Sequence, residues 1–189
     1  MSDQFDLFGA PGPVLPEGLR YAAEVIAPEA QARLVEVFAG LPFEAFDFHG
    51  FKGNRQIVSY GGRYDFSASR LREAEPVPDF LLAAREAAAA FAGLRPEALA
   101  QAMVTEYAPG AGIGWHRDRP EFDKVVGLSF VSEATMRFRR RRGEGWERAA
   151  LPLAPGSAYL LDGPARQDWQ HSIAPGDTLR YSVTFRSLR

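Results

Sequence analysis

The C-terminal half of the chain is dominated by short runs of β-forming residues separated by Gly, Pro and Asp. Seven such runs lie between about residue 102 and the C-terminus: AMVTEY, VVGLSFV, TMRFR, AALPL, SAYLL, WQHSI and LRYSVTF. Runs this short and this closely spaced are typical of an antiparallel sandwich or a jelly roll. The sequence therefore predicts an α+β chain that is mainly β.

Two helices are expected before these strands. Pro28 opens EAQARLVEVFAG, whose apolar residues recur at helical spacing, and Pro78 opens DFLLAAREAAAAFAG, which ends at Gly93. Residues 1–20 contain three prolines and no periodicity, and we expect an extended arm there. No internal repeat or linker follows, so residues 21–189 are predicted to form one domain. Its β core, at about residues 102–189, is braced by the two helices.

Charge and cysteine content exclude several classes of function. Lys+Arg 22 against Asp+Glu 24 gives a net charge of -2, so nucleic acid could be held only by a local patch. Because the chain has no cysteine, any metal must be held by His and carboxylate. The chain shows neither a basic leader nor an apolar run long enough to span a membrane, and we expect a cytoplasmic protein without membrane contact.

The histidines are few enough to be considered one by one. Of His49, His116 and His171, the last two lie in suggestive patterns. His116 and Asp118 are two residues apart, which on an extended segment directs an imidazole and a carboxylate to the same side. Two histidines and one carboxylate form the facial triad of non-haem Fe(II) oxygenases, which leaves three coordination positions open for a 2-oxo acid and dioxygen.

The last β-type run supplies a candidate clamp for the co-substrate. In WQHSI-APGD-TLRYSVTF, a turn centred on Pro175 and Gly176 would place His171 directly opposite Arg180. Arg180 would then bind the far carboxylate of a 2-oxo diacid. Arg186 lies six residues further along, roughly 20 Å away on an extended strand, and is expected nearer the metal-side carboxylate or Asp118.

Four segments resemble the AlkB family of Fe(II)/2-oxoglutarate dioxygenases: YAPG from Tyr107, HRD from His116, His171 itself, and RYSVTFR at residues 180–186. The resemblance extends from about residue 54 to the C-terminus, and the RxxxTxR ending is its most specific part. It implies a double-stranded β-helix, or jelly roll, that uses Fe(II), 2-oxoglutarate and O2. The metal ligands that it implies are His116, Asp118 and His171, and the 2-oxoglutarate residues are Tyr107, Arg180 and Arg186.

Three positions depart from the family pattern. Thr105 and Ser182 stand where the family usually has asparagine, and both keep a hydroxyl that can bind 2-oxoglutarate by donating a hydrogen bond. The family's repair enzymes often place an acidic, base-reading residue two positions after the metal-binding Asp. Pro120 stands there, and Glu121 follows it.

Two segments are candidates for nucleic-acid contact. NRQIVSYGGRYDF, at residues 54–66, resembles the family's nucleotide-recognition lid, where aromatic rings stack on a flipped base and arginines meet phosphate. An ordinary β-hairpin with buried aromatics is the alternative. MRFRRRRGEGWER, at residues 136–148, holds six arginines; its alternative is a solvated edge strand guarded by charge. The candidate substrate residues are Arg55, Tyr60, Arg63, Tyr64 and Glu121, with Tyr64 favoured as the stacking ring.

The sequence thus predicts an oxidative dealkylase acting on alkylated DNA or RNA. By resemblance, 2-oxoglutarate is decarboxylated to succinate, an N-alkyl carbon is hydroxylated, and formaldehyde leaves the repaired base. An oxygenase of the same family with a protein or small-molecule substrate is one alternative, favoured by Pro120 and the net acidity. A non-catalytic β-helix used as a binding module is the other. No obligate protein partner is inferred.

Overall fold

The computed structural model describes residues 15–48, 51–65, 70–73 and 75–189, without the side chains of 46–54 and 62–74. Its helices are α1 (Pro28–Phe38), α2 (Asp79–Ala92) and α3 (Gly163–Gln167). The strands before α2 are β1 (Leu19–Ala22), β2 (Glu44–Phe48), β3 (Phe51–Tyr60), β4 (Gly62–Asp65) and β5 (Arg70–Glu73). Those after it are β6 (Leu99–Tyr107), β7 (Ile113–His116), β8 (Phe122–Phe130), β9 (Ala134–Arg142), β10 (Gly145–Leu153), β11 (Ala158–Leu161), β12 (Gln170–Ile173) and β13 (Arg180–Leu188).

Two antiparallel sheets build the molecule. The large sheet has the order β1-β11-β8-β13-β6-β3-β2, and the small sheet has the order β10-β9-β12-β7. Strands β6 to β13 pass back and forth between the two sheets, which is the jelly-roll arrangement predicted from the sequence. The remaining pair, β4 and β5, forms a separate two-stranded sheet. The mainly β, α+β fold class is therefore confirmed.

Both predicted helices are present and brace the large sheet from outside. Pro28 occupies the first turn of α1, and Gly93 ends α2 in the left-handed conformation at φ 71°. Phe38, at the end of α1, packs against Phe130 and Tyr181 of the sheet at ring-centroid distances of 5.4 and 5.6 Å. The helices thus cover the outer face of the sheet and leave its other face to the interior of the jelly roll.

Alternation along β13 separates the two faces as the sequence predicted. Tyr181, Val183 and Phe185 belong to the hydrophobic cluster under the helices. Ser182, Thr184 and Arg186 are also buried but point the other way, into the space between the sheets. A second hydrophobic cluster fills part of that space, and it includes Met136, Phe138, Leu153, Leu161 and Trp169.

The predicted hairpin between His171 and Arg180 is wrong. His171 lies on β12 and pairs with His116 and Phe138, whereas Arg180 lies on β13 and pairs with Tyr107. Because the intervening segment carries the chain from the small sheet to the large one, the two strands face each other across the interior instead of lying side by side. His171 and Arg180 still share one site, for a reason that differs from the predicted register.

The expected arm at residues 1–20 also needs correction at its end. Leu19 and Arg20 belong to β1, where they pair with Leu161 and Leu160, because the free edge of β11 offers them backbone hydrogen-bonding partners. Residues 1–14 and His49 lie outside the described residues. Within the described part of the chain, none of the helices has the length and apolar character needed to cross a membrane.

Candidate active site

Three predicted metal ligands meet at one end of the jelly-roll interior. His116 is the last residue of β7 and lies directly opposite His171 on β12, with 4.2 Å between the ring centroids. Asp118 follows two residues after His116, and its Oδ2 lies 3.5 Å from His171 Nε2. One ligand atom from each of the three residues lies within 4.8 Å of the others, close enough to coordinate a single ion.

The protonation states suit metal binding. Burial raises the pKa of Asp118, but Arg186, His171 and His116 outweigh burial and hold it well below its usual range. Burial, followed by the neighbouring His116, lowers the pKa of His171 to about 3. At neutral pH the site therefore presents an ionised carboxylate and a neutral imidazole, which are the forms that bind a metal.

A hydrogen bond to the backbone also orients the imidazole ring of His116. Its Nδ1 lies 2.9 Å from the carbonyl oxygen of Gly114. Because a carbonyl can only accept, Nδ1 must carry the proton, and Nε2 keeps its lone pair for a metal. An outer hydrogen bond of this kind is the usual means of fixing the ring of a metal-binding histidine.

Arg186 connects the metal ligands to the last strand. Its Nε donates to Asp118 Oδ1 over 3.1 Å, and its Nη1 donates to Gln101 Oε1 over 2.8 Å. The guanidinium also lies over the ring of Phe122, 5.2 Å from the ring centroid. The expectation that Arg186 lies near Asp118 agrees with these contacts. Gln101 was not identified from the sequence, since it meets Arg186 only through the pairing of β6 with β13.

Arg180 lies at the other end of the space between the two sheets, which we call the cleft. Not all of its hydrogen-bond donors are used by the residues that the structure describes. Its guanidinium lies 4.8 Å from the centroid of the Tyr107 ring, and its Nε donates to Ser129 Oγ over 3.2 Å. Its Nη1 is buried and has no hydrogen-bond partner among the described residues. A buried cation with a free donor is a ready site for a carboxylate. Ser129 had not been predicted, because only the pairing of β8 with β13 brings it here.

A row of hydroxyl side chains crosses the floor of the cleft between the two arginines. Ser182 pairs with Thr105 on one side and with Ser129 on the other. All three are buried, and Thr105 Oγ1 has no partner within the described part of the chain. These residues fit a bound 2-oxo diacid, with Arg180 at its far carboxylate and the metal end near Asp118.

Tyr159 is a further interior residue that the sequence did not single out. It lies on β11 opposite Gly127, and a Cβ at Gly127 would overlap the tyrosine ring. The ring therefore lies across β8, at the level where Gly127 pairs with Thr184 of β13. Burial, with Asp118 nearby, raises the pKa of Tyr159, so its phenol remains protonated. The only sequence signal was a glycine inside an otherwise apolar strand.

The candidate substrate residues are not all brought together. Arg55 lies opposite Tyr107 on β3, at the Arg180 end of the cleft. Tyr60 is misassigned: it meets Phe80 of α2 edge to face at 6.2 Å and packs against the cluster under the helices, on the face away from the metal. Alternation along β3 produces this difference, since Tyr60 pairs with the core residue Ala102. Strand β4 contains Arg63 and Tyr64, whose side chains lie outside the described residues.

The arginine-rich segment is not simply an edge strand. It forms β9, which lies between β10 and β12, and the start of the edge strand β10. Alternation sends Arg140 and Arg142 to one face and Arg137, Arg139 and Arg141 to the other. The first two line a cavity of about 600 Å³ with Arg117, Glu147, Gln167 and Asp168, and Arg141, near the end of β9, also reaches it from the other face.

The two tryptophans next to the metal ligands have different environments. Trp169 is 2% exposed and belongs to the interior cluster. Trp115 is half-buried on the outer face of the small sheet, where arginines cover it.

Comparisons with known proteins agree with this geometry. Residues 18–186 match the family model of the 2OG-Fe(II) oxygenase superfamily. A viral relative, the uncharacterized protein L905 of Acanthamoeba polyphaga mimivirus, is 32% identical over 101 residues, which are 47% of this chain and 48% of that protein. The matched region thus spans about half of the viral relative.

The fold has a solved counterpart. The structure of OsALKBH1 superposes with a TM-score of 0.68 at 16% identity, covering 92% of this chain and 98% of that one. The match extends beyond the jelly roll to the elements that precede it. The chain belongs to the 2OG-Fe(II) oxygenase superfamily, and its fold is that of the AlkB-like members.

Proposed function

We propose that this protein oxidatively removes N-alkyl groups from nucleic-acid bases. The observation that supports it most directly is the arrangement of the cleft. Three residues able to bind a metal lie at one end, and Arg180 lies at the other, buried and with an Nη1 that has no partner among the described residues. Fe(II), 2-oxoglutarate and dioxygen, when bound, supply the oxidation of a C–H bond that side chains alone cannot perform. The choice of a nucleic-acid base rests on the resemblance of residues 180–186 to the AlkB family and on the arginines described below.

The residues of the cleft have distinct tasks in this reaction. His116, Asp118 and His171 would hold Fe(II) on one side and leave the other side open. Arg180 and the hydroxyl row would bind 2-oxoglutarate and hold it in a single orientation. Arg186 keeps Asp118 ionised and in place. The apolar cluster between the sheets keeps water away from the reacting carbon.

A basic cavity that is lined in part by a residue of the metal-ligand segment supports a phosphate-bearing substrate. Arg117, which separates His116 from Asp118 in sequence, lines this cavity with Arg140 and Arg142. Arg117 donates to the carbonyl oxygen of Asp168 over 3.2 Å, and Arg140 donates to Glu147 over 2.8 Å. Four arginines against two acids give the lining a net positive charge, which favours phosphates beside an extruded base.

Glu121 supplies an acceptor that could read the base. Its Oε2 is buried without a hydrogen-bond partner among the residues that the structure describes. It follows Asp118 by three positions in the sequence. A carboxylate oxygen without a partner is suited to accept from an exocyclic amino group of a flipped base.

The decisive experiment measures succinate and formaldehyde together. The purified protein is supplied with Fe(II), 2-oxoglutarate and oxygen, and with an oligonucleotide that carries N1-methyladenine or the matched unmethylated strand. We expect both products to rise with the methylated strand only, and to vanish in Asp118→Ala. Succinate release that no alkylated strand stimulates would leave the oxygenase in place and refute the nucleic-acid substrate.

A further inference from the structure

The small sheet has a second basic surface on the face that points away from His116 and His171. His116 and His171 point inward from β7 and β12, so their neighbours Trp115, Gln170 and Ser172 point outward. Register places outward residues of β9 and β10 in line with them, with Arg139 opposite Gln170 and Arg137 opposite Ser172. We call this surface the Arg–Trp face; it consists of Trp115, Arg137, Arg139, Arg141, Trp146 and Arg148.

The guanidinium groups of the Arg–Trp face are held in a stack. Arg139 lies 4.4 Å from the ring centroid of Trp115 and 4.4 Å from that of Trp146, so it is sandwiched between the two indoles. Arg137 lies 5.4 Å from Trp115, and Arg141 lies 5.0 Å from Trp146. Cation–π contacts of this kind hold a guanidinium over the face of an indole even at exposed sites.

Side-chain hydrogen bonds restrict two of these arginines further. Arg139 Nε donates to Gln170 Oε1 over 2.8 Å, and Arg137 Nε donates to Ser172 Oγ over 3.2 Å. Each of these bonds uses Nε and leaves the terminal nitrogens of the guanidinium for another acceptor. Because the side chains are already ordered, a ligand that binds them loses less conformational entropy.

The charge of this surface is not neutralised locally. Across the four strands of the small sheet, all of which the structure describes, no outward position carries Asp or Glu. Glu147, the acid of β10, pairs in register with Arg140 and turns to the opposite face. The three outward arginines of β9 repeat every second residue, which spaces their Cα atoms by about 6.6 Å. Within these four strands the surface is thus a regular row of cations without counter-charges.

We propose that the Arg–Trp face binds the phosphodiester backbone of nucleic acid at a distance from the base that is oxidised. The inference rests on the proposed function for the identity of the polyanion. The face and the metal-binding residues His116 and His171 lie on opposite sides of one sheet, so the bound segment does not enter the cleft. Its role is to hold the nucleic acid on the protein while the cleft selects the damaged base, as sequence-independent phosphate contacts do in general.

The test is binding of an unmethylated single-stranded oligonucleotide, measured by fluorescence anisotropy over a range of salt concentrations. The variant Arg137→Gln/Arg139→Gln removes two charges from the face and touches neither the cavity nor the cleft. We expect about tenfold weaker binding, and a fall in the salt slope of roughly 0.7 for each phosphate that the protein no longer neutralises. The control Arg33→Gln/Arg95→Gln removes the same charge from exposed positions elsewhere and should bind like the parent protein.

A second variant guards against a folding defect in the first. Ala150 is exposed on the same face and pairs with Arg137, so Ala150→Glu adds an acid without removing a stacked side chain. It should weaken binding, and Ala150→Gln should not. Unchanged binding in both the arginine pair variant and Ala150→Glu would overturn the inference and show that the stacking only stabilises the sheet.

Oligonucleotide binding and succinate release, measured side by side, separate this inference from the proposed function. Succinate release by the parent protein with and without a methylated strand tests the function alone. Oligonucleotide binding that depends on the Arg–Trp face, in a protein that dealkylates no strand, would support the surface and reject the function. Dealkylation of a methylated strand, in a protein whose oligonucleotide binding does not depend on the Arg–Trp face, would support the function and reject the surface.

Discussion

Arg186 donates a hydrogen bond from Nε to Asp118 Oδ1 over 3.1 Å, and this bond joins the last strand of the jelly roll to the metal ligands. Both side chains are almost fully buried, with 10% and 7% of their surfaces exposed. A buried carboxylate would otherwise tend to take up a proton. Arg186 is therefore a positioning residue that keeps one ligand charged and oriented.

Replacing Arg186 should chiefly weaken metal binding. In Arg186→Met the pKa of Asp118 rises because the opposing charge is removed, so protons compete with the metal at a higher pH. We expect metal affinity to fall about 10- to 100-fold at neutral pH, and further as the pH is lowered. Titration with Mn(II) under calorimetry measures this without turnover.

Arg186→Lys is the matched control, since it keeps the charge and loses the fork of donors. It should retain more affinity than Arg186→Met and show a weaker dependence on pH. Equal losses in both variants, with no change in pH dependence, would mean that Arg186 acts through packing against Phe122 rather than through its charge.

Arg180 should control the affinity for 2-oxoglutarate and leave metal binding alone. The variant Arg180→Met removes a buried donor that has no partner among the described residues. Hydrogen bonds to charged groups are worth about 1.5–3 kcal/mol, which corresponds to roughly 10- to 150-fold in affinity. Binding of 2-oxoglutarate to the Mn(II)-loaded protein is the measurement. A loss confined to metal affinity would contradict the assignment.

The residues that could be predicted from sequence are those with a local signature. His116 and Asp118 were found by their spacing and Arg186 by its motif, because both patterns lie within a few residues of chain. Their partners Gln101 and Ser129 could not be found in this way, since they are separated from the arginines by 85 and 51 positions and meet them only through sheet pairing.

The hairpin error has a similar origin. Pro175 and Gly176 are ordinary turn residues, and nothing local shows whether a turn closes a hairpin or carries the chain to another sheet. Helix α3 was also missed, since its five residues begin with Gly163 and Pro164, a pair that reads as a loop. By contrast, α2 was predicted almost to the residue because Pro78 and Gly93 mark its ends.

Gly127 should be intolerant of a side chain because of Tyr159. In Gly127→Ala the new methyl group overlaps the tyrosine ring, and overpacking of this kind costs about 1–3 kcal/mol. The free energy of unfolding in urea measures it. In a Tyr159→Val background the methyl group has room, so the same substitution should cost much less. An equal cost in both backgrounds would show that the ring is not what excludes a side chain at Gly127.

The ion pair between Lys124 and Asp162 should make a small, acid-sensitive contribution to stability. Lys124 Nζ donates to Asp162 Oδ2, and this hydrogen bond is the main reason that the pKa of Asp162 is lowered. A carboxyl with a lowered folded-state pKa stabilises the protein above its unfolded pKa of about 4, and loses that effect as the pH falls through the lowered value. Both side chains are partly exposed, so we expect only about 0.5 kcal/mol.

Lys124→Met tests this contribution through the urea midpoint at neutral and acidic pH. The variant should be less stable than the parent protein at pH 7, and the difference should disappear in acid, where Asp162 is protonated in both proteins. Asp162→Asn keeps an oxygen for the backbone N–H of Gly163 and removes only the charge, so it should reproduce the loss. Combining the two substitutions should cost no more than either alone. A difference that persists unchanged into acid would show that Lys124 stabilises the fold by the packing of its aliphatic stem rather than by its charge.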